Sequence, residues 1–312
     1  VPLARKLFFR EDGSRRPSVR PMDVKRLLET ELLEAGVVFR FGCVPADLLV
    51  DAGGRLAGVV LASKSGLVAV RGRAVVDASF SARLARAAGL RFVRAAAGDT
   101  EFRQVVLGHR AAGDKGRTGR SLGPVIGSET EAWAPAEAFE YRFRLPVPAW
   151  TPDAVAAVEQ RIRDRVWHRD QNWIADRPWY VPPVALAAKR PADALAGTAP
   201  FATARAGLWV VGPCAAVTRP LARRLLDPGP ALEAGARVGL AAASLAAAVT
   251  LRGRVRGLHP PADRDCREPC TCDRSLRARE RVAGGAGGLL PELGRFDVVV
   301  AGGGTAGAPA AI

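Results

Sequence analysis

The apolar and polar residues in the first part of the chain alternate between the helical and the extended period. Leucines recur at helical spacing within residues 20–36, which predicts a helix. An apolar run at 37–44 predicts a strand, and residues 47–79 form further short strands separated by glycine-containing turns. The last of them, Ala74–Ala78, is an apolar run typical of a strand buried on both faces, and a short helix is predicted at Ala82–Gly89. The pattern favours an α/β fold.

Residues 91–200 depart from this pattern. They contain turn-rich pieces, a strand predicted at 140–148 and a long helix predicted at 151–170. Residues 177–184 are expected to be extended, because proline restricts both itself and the residue before it. This segment is interpreted as an inserted second domain.

The α/β pattern returns at Gly207–Cys214, which predicts a buried strand that ends in a turn. Residues 230–250 predict a helix made almost wholly of small side chains, and Gly239 within it requires a close packing partner. Its most apolar part, 238–251, is too short to span a bilayer and predicts a buried helix. Residues 252–295, rich in Gly and Pro, are interpreted as a connector.

The chain ends with a strand, a glycine turn and the start of a helix. Three valines and an alanine at 298–301 precede Gly-x-Gly-x-x-Gly, which is how a dinucleotide-binding domain begins. The first glycine permits the tight turn, the second lets a pyrophosphate approach the backbone, and the third lets the helix pack on the strand. The acid that confirms the motif, about 20 residues further on, would lie beyond Ile312. The candidate pyrophosphate-binding residues are Gly302, Gly303, Gly304, Thr305, Ala306 and Gly307.

These segments together resemble FAD-dependent oxidoreductases of the glutathione-reductase type, from the middle of that family's domain onward. The resemblance implies a Rossmann-like FAD/NAD(P)-binding three-layer α/β fold with an inserted α+β substrate-like domain, incomplete at its N-terminus. Residues 296–312 resemble the family's N-terminal FAD motif but stand after the rest. The implied division is a partial FAD-binding domain at 1–90, the insert at 91–200, a return at 201–251, the connector at 252–295 and a further unit's first elements at 296–312.

The resemblance also implies cofactor contacts outside the glycine turn. Val44 matches the residue whose backbone meets the adenine of FAD. Ala78 and Ser79 match the start of the family's Ala-Thr-Gly element. Gly212 and Pro213 match the family's Gly-Asp turn near the ribityl chain.

Two residues depart from the family's pattern. Phe80 stands where the Ala-Thr-Gly element has glycine, which bears on how closely the backbone approaches the cofactor. Pro213 replaces the acid of the Gly-Asp turn, which removes a ribityl hydrogen bond and a backbone N–H donor.

The order of late elements, connector and early element is that of a fragment cut from a tandem protein, and a circular permutation is the rival interpretation. In either case the slot beside Ala74–Ala78 is left empty by the preceding elements. Because an open apolar strand edge is costly, we expect Asp297–Ala301 to fold back and fill it. The chain alone is expected to be inactive, with an incomplete half of each of two cofactor sites.

The formal net charge is +15, mainly from arginine, but the arginines are spread along the chain. Aromatic residues make up 6% of the sequence, and no stretch interleaves them with a basic run as a nucleic-acid stacking platform would. We therefore expect a small-molecule substrate, no nucleic-acid or membrane partner and a cytoplasmic location. The oligomeric state is left open.

The cysteines and histidines indicate no site of their own. Cys266, Cys270 and Cys272 lack the paired spacing of a structural zinc site, so no metal is expected. The sequence has no C-x-x-C redox pair. His109, His168 and His259 therefore receive no catalytic role.

The sequence predicts an FAD-dependent oxidoreductase that transfers a hydride between an unknown substrate and the flavin. The alternative is an α/β scaffold or interaction module that is derived from the same family and has lost its flavin. No catalytic residue is assigned, since in flavoenzymes the cofactor carries the redox chemistry. The candidates for substrate contact in the inserted domain are Arg142, Arg144, Trp179 and Tyr180.

Overall fold

The computed structural model describes residues 2–9, 12–14, 21–64, 66–108, 119–125, 136–171, 173–175, 177–259, 281–283, 289–302 and 305–312. The chain divides into two compact units. The first unit is built from residues 30–93 and 184–312, and the second from residues 2–29 and 94–183.

The elements follow one another in an α/β order with an antiparallel stretch in the middle. The helices are α1 Pro2–Phe8, α2 Pro21–Glu34, α3 Arg83–Ala87, α4 Pro152–Val166, α5 Arg219–Arg224, α6 Pro228–Ala248 and α7 Gly307–Ala311, with a 3₁₀ turn at Ala199–Phe201. The strands are β1 Val44–Val50, β2 Leu56–Ser63, β3 Gly66–Asp77, β4 Phe92–Arg94, β5 Gly98–Leu107, β6 Gly119–Val125, β7 Ala136–Val147, β8 Trp173–Ile174, β9 Val184–Leu186, β10 Leu208–Val210, β11 Arg256–Gly257, β12 Arg281–Ala283 and β13 Leu289–Ala301.

The first unit is organised around β3. Its sheet has the order β10-β3-β13-β12-β11-β1-β2, and β2 also pairs with β3. The first half of β3 pairs antiparallel with β2, and its second half lies parallel between β10 and β13. Ala74, Val75 and Val76 are fully buried there, as expected for an apolar run in a parallel sheet. The observed architecture confirms the predicted α/β, Rossmann-like fold class.

The C-terminal strand fills the predicted slot beside β3. Val298 pairs with Ala74, and the parallel register continues to Ala301 opposite Asp77. The expectation that Asp297–Ala301 folds back onto this edge is therefore confirmed. The paired stretch is longer than predicted, because β13 already pairs with β3 from Glu292 onward.

Charged pairs accompany the β13–β3 ladder. The Glu292 carboxylate is buried and accepts hydrogen bonds from Arg295 Nε at 2.6 Å and from Arg71 Nη1 at 3.5 Å. Nearer the end of the ladder, Arg73 Nη1 donates to Asp297 Oδ1 at 2.6 Å in an exposed pair. Asp297 thus lies opposite Arg73 in the register, and Glu292 bridges Arg71 and Arg295, which face each other across the two strands.

Helix α6 packs against α7 through glycines. A Cβ atom at Gly239 would lie 2.6 Å from the carbonyl oxygen of Ala310, and one at Gly235 would overlap the carbonyl oxygen of Ala306. This close approach is the packing reason that Gly239 required, because any larger residue would separate the two helices. The helix after the glycine turn is thereby fixed on α6.

Helix α6 is longer than its most apolar segment. By length and composition alone it is a candidate membrane span, with 39% of its apolar window buried inside the protein. Ala231, Leu232, Val238, Ala242 and Ala246 lie on its buried side. A buried helix in the core of a globular unit can have the same length and composition.

The second unit contains an antiparallel sheet of order β6-β7-β5-β8. One side of this sheet forms a core with α4, in which Phe102 and Phe143 pack with Val158 and Ile162. Thr151 caps α4 by accepting a hydrogen bond from the Ala154 N–H at 3.3 Å, so the predicted helix starts where its sequence indicates.

The strand predicted at 37–44 is wrong. Residues 37–43 are irregular, and the extended structure begins only at Val44. Gly42 has φ +68°, a left-handed conformation that interrupts an extended chain, and the Phe41 side chain is exposed. The apolar run at 37–43 therefore has the composition of a strand but lies in an irregular segment with an exposed aromatic residue.

Candidate functional site

Three parallel strands end at the same level in the first unit. Val210 of β10 and Ala301 of β13 both pair with Asp77, the last residue of β3. The turns at Gly212–Pro213, Ala78–Ser79 and Gly302 consequently leave the sheet side by side. Ligands of open α/β sheets bind outside these carboxyl ends. The three separate segments predicted to meet the cofactor are thus brought together.

The glycine turn is in close backbone contact with the turn after β3. Gly302 has φ +112°, and a Cβ atom there would lie 2.6 Å from the carbonyl oxygen of Ala78. A Cβ atom at Gly307 would overlap the carbonyl oxygen of Gly302. The Ala78 N–H donates to the carbonyl oxygen of Ala301 at 2.7 Å. Glycine is therefore required at both positions, for the tight turn and for the approach of α7.

The remaining residues of the predicted motif are only partly visible. Thr305 and Ala306 form a turn and are half-buried. Gly303 and Gly304, which the sequence places closest to a pyrophosphate, lie outside the described residues.

The Asp77 carboxylate anchors the loop after β3 through hydrogen bonds. This buried carboxylate accepts hydrogen bonds from the Ser79 hydroxyl at 2.5 Å, from the Ser79 N–H at 3.1 Å and from the Ala85 N–H at 2.9 Å. Burial raises the pKa of Asp77, and these hydrogen bonds oppose the rise. Ser79 Oγ in turn accepts the N–H of Arg83 at 2.8 Å. One carboxylate thus fixes both the predicted cofactor loop and the start of α3.

Sequence reasoning did not single out Asp77 or Arg83. An acid at the end of an otherwise apolar strand is a signal that would have found Asp77, because a charge at such a position requires several hydrogen bonds. Arg83 had no such signal, since one arginine among many gives no local indication of its partner.

A thiol connects the loop after β3 with the turn after β10. Cys214 is 1% exposed, and its Sγ donates to the carbonyl oxygen of Phe80 at 3.4 Å. Burial raises the pKa of Cys214 to about 12, and the charge of Asp77 adds to the rise. The Phe80 side chain, which stands where the family's element has glycine, is 52% exposed.

The turn after β10 is built on Gly212. This glycine has φ +127°, and its carbonyl oxygen accepts the N–H of Ala215 at 3.1 Å. Pro213 is buried, and the Val211 N–H donates to the carbonyl oxygen of Asp77 at 2.9 Å. The turn is therefore joined directly to the end of β3.

Val44 starts β1, and its side chain is partly exposed. The carbonyl oxygen of the next residue, Pro45, accepts a hydrogen bond from Arg83 Nε at 3.0 Å. The segment predicted to meet the adenine is thus joined to α3 and, through it, to Ser79.

The residues present fit a dinucleotide. Gly302 is exposed, nothing lies within 4 Å of the Cβ position of Gly212, and the neighbouring residues Ala78 and Ser79 are small. Small residues at the carboxyl ends of parallel strands leave room for a ligand.

The substrate candidates of the second unit fall into two groups. Tyr180 packs on Phe102 with ring centroids 5.1 Å apart, and burial raises the pKa of Tyr180.

The other candidates lie on one face of the antiparallel sheet. Arg142 lies opposite Arg103 across the β5–β7 pair and donates to Glu140 at 2.9 Å. The backbone of Arg103 also pairs with that of Trp179, so Trp179 shares the face of Arg103. Arg144 forms an ion pair with Asp99 on this same side, 3.3 Å apart. The face is therefore charged and aromatic, and Tyr180 belongs to the core.

No cluster of potential metal ligands occurs within the described residues. His259 is paired with Asp47, with Nδ1 2.9 Å from Oδ1, and the Asp170 N–H donates to Nδ1 of His168 at 3.2 Å. The candidates Cys266, Cys270, Cys272 and His109 lie outside the described part of the chain.

The strand register and the three turns define the class of the fold as α/β and dinucleotide-binding. The family model of FAD-dependent oxidoreductases matches residues 6–190, more than half of the chain. The chain belongs to this family, whose cofactor is FAD, as the resemblance implied. The match includes Val44, Ala78 and Ser79 and ends before the turn at Gly212.

Similar solved structures include CabE, an aromatic hydroxylase from angucycline biosynthesis, with 17% identity and a TM-score of 0.44 over 76% of this chain. The OxyS anhydrotetracycline hydroxylase from Streptomyces rimosus matches 74% of the chain with 14% identity and a TM-score of 0.41. The chain covers 45% of CabE and 43% of OxyS, and so spans less than half of their length. A comparison with curated proteins finds no match.

Proposed function

We propose that this chain holds FAD for an oxidoreductase that transfers a hydride between a small-molecule substrate and the flavin. The observation that carries the proposal is the common level of Val210, Asp77 and Ala301 in the parallel sheet. Three turns with predicted cofactor contacts follow these residues directly. A cytoplasmic location belongs to the same proposal.

The residue roles follow from the positions of the turns. The backbone of Gly302 and its neighbours receives the pyrophosphate, and Ala78 and Ser79 line the site from the adjacent strand. Gly212 and Pro213 flank the ribityl chain, and the backbone of Val44 meets the adenine. The complete proposed set is Gly302, Gly303, Gly304, Thr305, Ala306, Gly307, Val44, Ala78, Ser79, Gly212 and Pro213.

Bound FAD supplies the hydride chemistry, and the chain's own residues position and shield it. Asp77 keeps the Ala78–Ser79 turn in place, because its carboxylate binds Ser79 twice. The Cys214–Phe80 hydrogen bond keeps the turn after β10 against the turn after β3. These contacts reduce the conformational freedom that FAD binding would otherwise remove.

The proposal assigns different roles to different segments of the chain. Residues 30–90 and 201–251 form most of the cofactor domain, and 296–312 adds the glycine turn. Residues 2–29, which the sequence assigns to the same domain, belong to the second unit. The inserted segment 91–200 supplies the substrate contacts. The segment 252–295, interpreted from the sequence as a connector, contains β11, β12 and the first part of β13. The face with Arg103, Arg142 and Trp179 suits a planar substrate that carries negative charge.

The alternative is a scaffold that has lost its flavin. Pro213 favours it, because a buried proline at the Gly-Asp position offers the cofactor no N–H. Phe80 does not favour the scaffold, since its side chain is partly exposed to solvent.

Incubation of the purified chain with FAD, followed by gel filtration and a visible spectrum, tests the proposal. We expect flavin absorbance to co-elute with the protein peak at one FAD per chain. Flavin that elutes entirely in the small-molecule volume, from a chain with a folded circular-dichroism spectrum, would support the scaffold.

A further inference from the structure

Arg83 joins two of the segments assigned to the cofactor. Its backbone N–H donates to Ser79 Oγ at 2.8 Å, and its side-chain Nε donates to the carbonyl oxygen of Pro45 at 3.0 Å. Ser79 belongs to the turn after β3, and Pro45 follows Val44 at the start of β1. Arg83 is the first residue of α3, so it stands at the point where these segments approach each other.

A positively charged side chain would complement the charge of a diphosphate in the candidate site. The diphosphate of a dinucleotide is anionic, and the assigned residues are all uncharged. The acid beneath them, Asp77, opposes a nearby anion wherever it is ionised.

The guanidinium of Arg83 has donors to spare. Of its five N–H groups, only the one at Nε is engaged, because within the described part of the chain Arg83 forms no ion pair and no other side-chain hydrogen bond. Its side chain is exposed. The two remaining nitrogens present the planar fork that binds phosphate oxygens in pairs. The hydrogen bond to Pro45 already restricts the Arg83 side chain. Phosphate binding therefore costs less side-chain entropy here than it would for an unrestrained arginine.

We propose that Arg83 is a further residue of the cofactor site and that its guanidinium binds the diphosphate of FAD. The proposal rests on the proposed function. Arg83 has a second role as a link between Ser79 and Pro45, and the experiment separates this role from phosphate binding.

The test compares Arg83→Gln with Arg86→Gln by calorimetric titration of FAD, ADP and adenosine. Arg86 lies one turn further along α3 and is also exposed, so its substitution removes the same charge from the same helix. We expect Arg83→Gln to weaken FAD and ADP binding by about tenfold or more, the loss of charge-assisted hydrogen bonds. Adenosine, which has no phosphate, should bind both variants as it binds the wild type.

A second variant, Arg83→Lys, keeps the charge and loses the Nε bond to Pro45. We expect it to keep the decline of ADP affinity with rising salt but to lose part of the affinity itself, because an ammonium lacks the paired donors, whereas Arg83→Gln should flatten that decline. Equal ADP affinity of Arg83→Gln and Arg86→Gln would overturn the proposal. Equal losses of ADP and adenosine affinity in Arg83→Gln would also overturn it, since they indicate a purely structural link. Wild-type protein that binds neither FAD nor ADP would instead refute the proposed function, and Arg83 would lose its role with it.

Discussion

The carbonyl oxygen of Ala301 accepts the backbone N–H of Ala78 at 2.7 Å. This hydrogen bond joins the last residue of the C-terminal strand to the first residue after β3. The two residues are far apart in sequence, and each is followed by a turn assigned to the cofactor. The site is consequently assembled from both ends of the first unit's sequence.

The packing of α7 on α6 predicts a sharp difference between two glycines of one helix. Gly235→Ala should lower the free energy of unfolding by about 1–3 kcal/mol, because the new methyl group would overlap the carbonyl oxygen of Ala306. Gly229→Ala is the matched control, since nothing lies within 4 Å of its Cβ position. Chemical denaturation should show the control within about 1 kcal/mol of wild type. Equal destabilisation by both substitutions would contradict the close helix contact.

The carboxylate of Asp51 predicts loss of stability in acid. It is 2% exposed and accepts the N–H groups of Gly53, Arg55 and Arg252 at 2.9 Å each. Burial alone would raise its pKa, but these hydrogen bonds and the charge of Arg55 bring the pKa below the usual 3.8. A lowered pKa contributes stability above the unfolded value, and this contribution disappears as the pH falls through the folded value.

Asp51→Asn should therefore lose about 1–3 kcal/mol at neutral pH and show a shallower fall of stability in acid. Denaturant midpoints measured from pH 7 down to the acid limit check this expectation. Parallel curves for variant and wild type would show that the carboxylate contributes no pH dependence.

For Asp77 we predict the opposite change of stability with pH. Because burial raises its pKa above 3.8, the folded state holds the proton more tightly than the unfolded state. The contribution of Asp77 to stability then falls as the pH rises from the unfolded to the folded pKa. In Asp77→Asn this part of the pH profile should be flat. FAD binding should weaken because the amide keeps only one acceptor oxygen for the donors of Ser79 and Ala85. A variant that retains both the slope and the affinity would show that Asp77 does not hold the loop.

Cys214 should resist alkylation in the folded protein. Its pKa of about 12 leaves almost no thiolate at pH 8, and the side chain is 1% exposed. The half-buried Cys43 is the internal comparison and should react faster. Peptide mapping after iodoacetamide treatment, with and without denaturant, checks this. Rapid labelling of Cys214 in the native state would contradict its buried position beside Phe80.

The sequence was sufficient to predict those features that depend on backbone geometry. The glycine turn, the packing requirement at Gly239 and the pairing of the last strand with β3 follow from residue size and from an unfilled apolar edge. The polar contacts of the site did not follow. The bond from Arg83 to Pro45 crosses 38 positions of sequence and has no local pattern.

The wrong strand at 37–44 has a related cause. Its apolar residues have the composition of a strand, but Gly42 adopts a left-handed conformation that composition alone does not reveal. Local pattern therefore predicted the helices and buried strands better than it predicted the surface segment before β1.

The affinity for FAD of the Gly302→Val variant, compared with wild type and with Gly54→Val, tests the central claim most directly. Gly302 and Gly54 both have positive φ, but only Gly302 lies against Ala78, whereas nothing lies within 4 Å of the Cβ position of Gly54. Wild type and Gly54→Val should bind FAD alike, and Gly302→Val should lose binding while it keeps the second unit folded. Undiminished FAD binding by Gly302→Val would contradict a cofactor site that is completed by the C-terminal turn.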